Sequence, residues 1–264
     1  MSAIAALGNL SRDIVAGAPP RPGGGVYYSA RVLAQLHADA HVAAACAADD
    51  RETLLPALEA FGLPLRWYES RATTAYSFRY QGDRRLMRQE AVGDPWPPAR
   101  AIEAVAGATW VAVCALVRTD FPEETLAVLA AGGRQILIDA HGLVRTPALG
   151  PLRTAKIGGA LRHTRILKLN DEEARILVGT THPEQLRSLG VPEVILTLGS
   201  RGSVVVTPTL IERVPVVAVD GHVDPTGAGD TFSAAYLAAR AVGADSVEAA
   251  RSASETVAAF LSGR

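Results

Sequence analysis

Lysine is nearly missing from this chain: Lys156 and Lys168 stand alone, so positive charge rests almost wholly on arginine. The formal net charge is −1 and the pI lies near 6.6, which leaves no basic field of the kind a nucleic-acid backbone requires. Cysteine is scarce too. Cys46 and Cys114 sit in separate apolar runs, His41–Ala47 and Thr109–Leu116, without CxxC spacing, which argues against a disulfide framework and a cysteine metal site and suits two core thiols. No apolar run reaches the roughly 18 residues of a membrane helix, and the N-terminus lacks the basic start of a secretory signal, so a cytoplasmic protein with no membrane partner is expected. There is no internal repeat. A GxxxxGK[ST] loop is absent as well, so any phosphate must be held in another way.

What is present is apolar and regularly spaced. Of 264 residues, 48% are hydrophobic and 20% charged, enough for one large α/β domain over residues 1–264. Four runs rich in Val, Ile and Leu (Thr109–Leu116, Gln135–Ala140, Arg165–Leu169 and Val194–Leu198) read as strands covered on both faces. Helical patterns fall between them. Phe121–Ala131 and Asp171–Val178 carry acids in the first turn and Gly132 or Gly179 just past the end. The alternation predicts a mostly parallel sheet with helices on both faces. Two stretches break it: Asp13–Gly25, and Leu65–Glu90, where Thr73–Tyr80 and Arg84–Glu90 flank Gln81-Gly82-Asp83 as a hairpin. Tyr76, Phe78 and Tyr80 alternate along it and suit a half-exposed sheet whose aromatic face packs on the body, covers a site as a lid, or meets a second subunit as a homodimer.

The segment richest in chemistry is Asp224-Pro225-Thr226-Gly227-Ala228-Gly229-Asp230-Thr231-Phe232, followed by the apolar run Ser233–Val242. Pro225 disfavours helix at Asp224, so a helix starts at about Gly227, buried all round. Small residues there let an anion approach the unpaired N–H groups, where the helix dipole adds positive potential. Asp230 in the first turn is either a plain electrostatic cap or a base beside that anion hole, placed to take a proton from an attacking hydroxyl.

These nine residues resemble the C-terminal signature of the ribokinase, or PfkB, carbohydrate kinases, and other motifs follow in the family's order. Gly8-Asn9 with Asp13, Pro22-Gly23-Gly24-Gly25, Lys168-Leu169-Asn170-Asp171-Glu172-Glu173 and Thr197-Leu198-Gly199-Ser200-Arg201-Gly202 resemble its opening strand, acceptor glycines, Asn-x-x-Glu element and nucleotide turn. The resemblance implies a three-layer α/β sandwich with a small β-lid, formed by residues of about 13–25 and 65–90. It implies an ATP-dependent kinase acting on a sugar or cyclitol, loosely nearest the inositol kinases. Asp230 is then the base, and Gly227, Ala228 and Gly229 form the anion hole. Asn9, Asp13, Gly24 and Gly25 hold the acceptor, while Asn170, Thr197, Gly199, Gly202 and Thr226 hold ATP. Asn170 and Glu173 serve Mg2+ through water, and Asp224 serves a monovalent cation such as K+. The sequence departs from the family where Tyr27, Tyr28 and Ser29 stand near its usual Asn, and at its short C-terminus.

Plainer readings stand beside these. Asn170 and Glu173 also suit a helix cap, and Thr197 with Gly199 a strand-end turn. Asp139 and His141 end a buried run where α/β sheets bind ligands. Arg118 and Arg88 suit either an anionic acceptor or plain surface. Tyr27, Tyr28 and the hairpin aromatics leave a nucleoside kinase open, and loss of turnover on the same fold would leave a ligand-binding protein.

Overall fold

A computed structural model describes residues 3–15, 18–81, 84–148, 152–153, 157–219, 221 and 223–263, with backbone alone for 78–81 and 84–86. The strands are β1 (Ile4–Asn9), β2 (Ser11–Val15), β3 (Arg21–Gly23), β4 (Ala40–Cys46), β5 (Leu65–Glu69), β6 (Thr74–Gln81) and β7 (Arg84–Ala91). The rest are β8 (Trp110–Cys114), β9 (Gln135–Asp139), β10 (Ile166–Asn170), β11 (Glu193–Thr197), β12 (Ser203–Val206) and β13 (Ile211–Val214). Nine form one sheet in the order β13-β12-β11-β10-β9-β8-β1-β4-β5, and β3-β2-β6-β7 form a second. In the large sheet only β12 and β13 run antiparallel to their neighbours. Both its faces are covered, as the unbroken apolar runs require: Ile4 and Ala6 of β1 belong to one buried cluster, while Ala5 and Leu7 belong to the other.

The helix Ala228–Ala241 is anchored from below. Glu193 at the start of β11 is 3% exposed. Arg240 grips it with two bonds of 3.1 Å, and the Tyr236 hydroxyl donates to it. Arg240→Ala would leave a buried carboxylate without its cation, and should destabilise the fold by about 3 kcal/mol in urea unfolding. The same helix is less enclosed than its composition predicts. Thr231 to Leu237 are buried, but Val242 lies just past the helix and is 86% exposed.

The segments expected to form a lid make up the second sheet, with different limits. Leu65–Glu69 pairs in parallel with β4 and is the edge of the main sheet, and Gly25 opens the helix Gly25–Gln35. The hairpin strands are Thr74–Gln81 and Arg84–Ala91. Gly82 and Asp83 lie outside the described residues, as do the side chains of Phe78 and Tyr80. Tyr76 is described and 4% exposed.

Candidate active site

In the main sheet the chain runs outward from β1 in both directions, to β4 on one side and β8 on the other. Outside the carboxyl ends of strands at such a switch point is where open α/β sheets bind ligands. A cavity of about 470 Å³ lies there, between the lid and the start of the Ala228–Ala241 helix, lined among others by Asp13, Gly24, Gly25 and Asp230. A second cavity, of about 390 Å³, lies on the other side of that helix start, lined by Asn170, Thr197, Gly199 and Gly202 and by apolar Val216, Val217, Val257 and Leu261. Lys168, Asn170 and Gly229 line both. The helix N-terminus therefore stands between two chambers.

Gly227 is the N-cap at φ 81, a left-handed conformation that favours glycine. A Cβ there would also stand 2.4 Å from the Tyr28 ring. The Ala228 N–H donates to the Pro225 carbonyl at 3.0 Å, so Ala228 is no anion-hole donor. The N–H groups of Gly227, Gly229 and Asp230 meet no backbone acceptor among the described residues, and these are the groups available to a phosphate. A Cβ on Gly229 would lie 2.9 Å from Lys168 Nζ, and one on Gly25 would lie 2.9 Å from Asp230 Oδ1. Both glycines make room for a charged group.

Burial, and then the neighbouring Asp139 carboxylate, push the Asp230 carboxyl up to about 6, against the pull of Lys168 and His141. It is thus poised to take a proton near neutral pH. Asp139 goes the other way. Burial disfavours its charge, but Lys168 at 2.7 Å and His141 outweigh that and hold its carboxyl below the usual range. Lys168, itself 5% exposed, is in turn pushed up, because Asp139 and Glu173 outweigh its own burial. The pair is ionised, with the ammonium at the junction of the two cavities.

The other expected residues separate. Asn170 and Glu173 form a reciprocal cap, each side chain bonding the other's N–H at 2.8 Å, and Glu173 faces His141 Nδ1 at 3.5 Å. Among the described residues no group of three or more His, Cys, Asp or Glu side chains could hold a metal. Asn9 is corrected to a scaffold residue: it is 1% exposed, donates to the Asp94 carbonyl at 3.1 Å and accepts from Trp96 Nε1 at 2.9 Å. Thr226 lines the 470 Å³ cavity with Asp13 and Asp230, not the one lined by Thr197 and Gly199. Asp224 accepts the Thr226 N–H at 3.0 Å and faces a neighbouring cavity of about 520 Å³. Tyr27 packs against Phe61, with ring centres 5.5 Å apart. Arg88 is exposed beside Glu90, and Arg118 turns to the Val144 and Arg153 carbonyls. Sequence reasoning missed Lys168 as a site residue. Its rarity, two residues before Asn170 in a covered strand, was the available signal, since a buried lysine needs a partner. Arg145, at the end of the short helix His141–Val144 that follows β9, was missed without any signal.

The doubly covered α/β sheet thus holds a helix start, with N–H groups open to an anion, between two cavities. The pfkB family carbohydrate kinase profile matches residues 20–262, and the chain belongs to that family. The ribokinase of Bacillus subtilis (strain 168) is 30% identical over 197 residues, which are 71% of this chain; the match spans 62% of that protein's length. A nucleoside kinase of Methanocaldococcus jannaschii is 34% identical over 88 residues, 32% of this chain and 28% of that one. Among solved structures, a pyrophosphate-dependent kinase in the ribokinase family, complexed with a pyrophosphate analog and myo-inositol, aligns with a TM-score of 0.84. It is 24% identical, over 98% of this chain and 94% of that one. Arabidopsis thaliana ribokinase with ribose and ATP aligns at 0.78 with 21% identity, over 99% and 93%. Both share the fold. No helix among the described residues is long and apolar enough to cross a membrane.

Proposed function

We propose that the chain transfers the γ-phosphoryl group of ATP to a hydroxyl of a sugar or cyclitol. The observation that carries this is the position of Asp230. Its carboxyl, raised to about 6, lines the acceptor cavity at the helix start, one residue after Gly229, which lines both the donor and the acceptor cavity. With the acceptor seated beside Asp13, Gly24 and Gly25, Asp230 takes the hydroxyl proton as the oxygen attacks phosphorus. The N–H groups of Gly227, Gly229 and Asp230 and the Lys168 ammonium face the charge on the transferring group. Asn170 and Glu173 supply hard oxygens that suit Mg2+ through water. The metal, when bound, neutralises phosphate charge. Closing the lid excludes water that would otherwise take the phosphoryl group.

The donor separates ATP from pyrophosphate, which the kinase with myo-inositol uses. Pyrophosphate would leave the apolar end of the 390 Å³ cavity, at Val216, Val217, Val257 and Leu261, with nothing to contact, whereas a nucleotide base matches it. Val217 is 41% exposed, so Val217→Trp fills the mouth of that cavity without disturbing the core. It should raise KM for ATP at least tenfold and leave acceptor KM within about twofold. An unchanged KM for ATP would remove the base from this cavity. The proposal as a whole is tested by product release across pentoses, hexoses, inositols and nucleosides, with Mg-ATP or Mg-pyrophosphate, with and without K+. No transfer to any acceptor from either donor would leave a ligand-binding protein.

A further inference from the structure

The charges around the acceptor cavity are unevenly matched. Lys168 is paired with Asp139, His141 faces Glu173, and the carboxyl groups of Asp13 and Asp230 also line the cavity. Arg145 also lines this cavity, yet among the described residues it forms no ion pair with a carboxylate. Its guanidinium carbon instead lies 5.5 Å from the centre of the Tyr76 ring on the lid. Tyr76 is 4% exposed and lines the same cavity, and its hydroxyl is buried and makes no hydrogen bond of normal length and angle among the described residues, with Arg145 beside it as a donor. The charges that act on Asp230 come from Asp139, Lys168, His141 and Glu173. Arg145 acts on Tyr76. The cation and the hydroxyl thus face one another where the lid meets the body, on the wall of the cavity that Asp230 also lines.

A buried hydroxyl left without a partner costs stability, and so does a guanidinium half withdrawn from water with no anion. A neutral polyol answers the first need only. An oxyanion answers both, since a carboxylate or phosphate accepts two parallel bonds from arginine and a further one from a phenol. We infer that the acceptor is an acidic polyol, a sugar or cyclitol bearing a carboxylate or phosphate, whose anionic group is held between Arg145 and the Tyr76 hydroxyl. The inference rests on the kinase reading for which hydroxyl reacts, but the anion site itself can be measured without turnover. It also makes the lid acceptor-dependent, because the anion bridges Arg145 on the body to Tyr76 on the lid.

The test uses the full chain with D-glucose, D-glucuronate, glucose 6-phosphate, myo-inositol and myo-inositol 1-phosphate as probes. Binding is read by calorimetry and transfer by product release. Acidic probes should bind at least 30-fold more tightly than their neutral counterparts. Whether glucuronate or the phosphates gain more identifies the anion. Arg145→Gln should collapse this acid-over-neutral ratio at least 30-fold, and Tyr76→Phe, which deletes one oxygen, should lower it about fivefold to tenfold. If Arg145 only latches the lid through the Tyr76 ring, Arg145→Gln will weaken all probes equally; that unchanged ratio overturns the inference, as does equal binding of acidic and neutral probes. If acidic probes bind selectively and none is phosphorylated, the anion site stands and the kinase reading fails. Should Arg145→Gln not fold, Tyr76→Phe decides alone.

Discussion

Asp230→Asn yields a folded, ATP-binding protein whose turnover is lower by about 10²–10⁴-fold, the usual contribution of a positioned general base. The amide keeps the shape of the carboxyl and its place beside Gly25 but cannot accept the proton. Stability should move in the opposite direction. A carboxyl raised to about 6 binds its proton more tightly in the folded chain than in the unfolded one. Its contribution to stability is complete below the unfolded value and is lost as pH climbs through 6. At neutral pH the wild type therefore carries a buried charge that the variant lacks. Two pH units correspond to about 3 kcal/mol at most, so a gain of about 1–2 kcal/mol, or a few degrees in Tm, is expected. In the wild type kcat/KM should fall about tenfold per pH unit below pH 6, as the base is protonated. Calorimetric melts and a pH profile check both parts. Turnover within a few-fold of wild type, or a lower Tm at neutral pH, would remove Asp230 from the role.

The legible parts of this molecule are those where one physical demand acts alone. Gln135–Ala140, Arg165–Leu169 and Val194–Leu198 read as strands because Val, Ile and Leu side by side suit a doubly covered sheet, and β9, β10 and β11 fall on them. Asp171–Val178 reads as a helix from its acidic start and Gly179, and the structure gives those bounds with Gly179 at φ 79. By contrast β1 and β4 are written with alanine, in Ile4–Asn9 and Ala40–Cys46. Alanine prefers helix, and only the central position of these strands overrides that preference. The lid boundary failed at Leu65–Glu69, because an edge strand and a lid strand share the same half-exposed pattern. Within the site, Asp230, Gly227 and Gly229 announce themselves through close spacing on one helix start. Asp139, His141 and Arg145 lie at or just after the end of β9, and Lys168 joins them only because β10 runs beside β9, which no local spacing encodes.

Lys168 is where that convergence can be tested hardest. Its ammonium is 2.7 Å from Asp139 and would be 2.9 Å from a Cβ on Gly229, so a longer guanidinium has no room and arginine is no conservative substitute. Lys168→Met removes a cation from a nearly dry site and leaves the Asp139 carboxylate unmatched, which should destabilise the fold by about 3–5 kcal/mol. Protonating Asp139 relieves the mismatch, so the deficit should shrink as pH falls. Turnover should drop by about 10²–10³-fold, because a fixed positive charge at the junction of donor and acceptor is lost where phosphoryl charge moves. The single variant confounds the two effects. Pairing it with Asp139→Asn separates them: with both charges gone, stability should recover by at least half, while turnover should stay at the level of Lys168→Met or below. Urea unfolding and single-turnover transfer on the same preparations measure the two. Were the double variant to regain turnover along with stability, Lys168 would serve only to neutralise Asp139, and the transferring group would be held by the helix N–H groups without it.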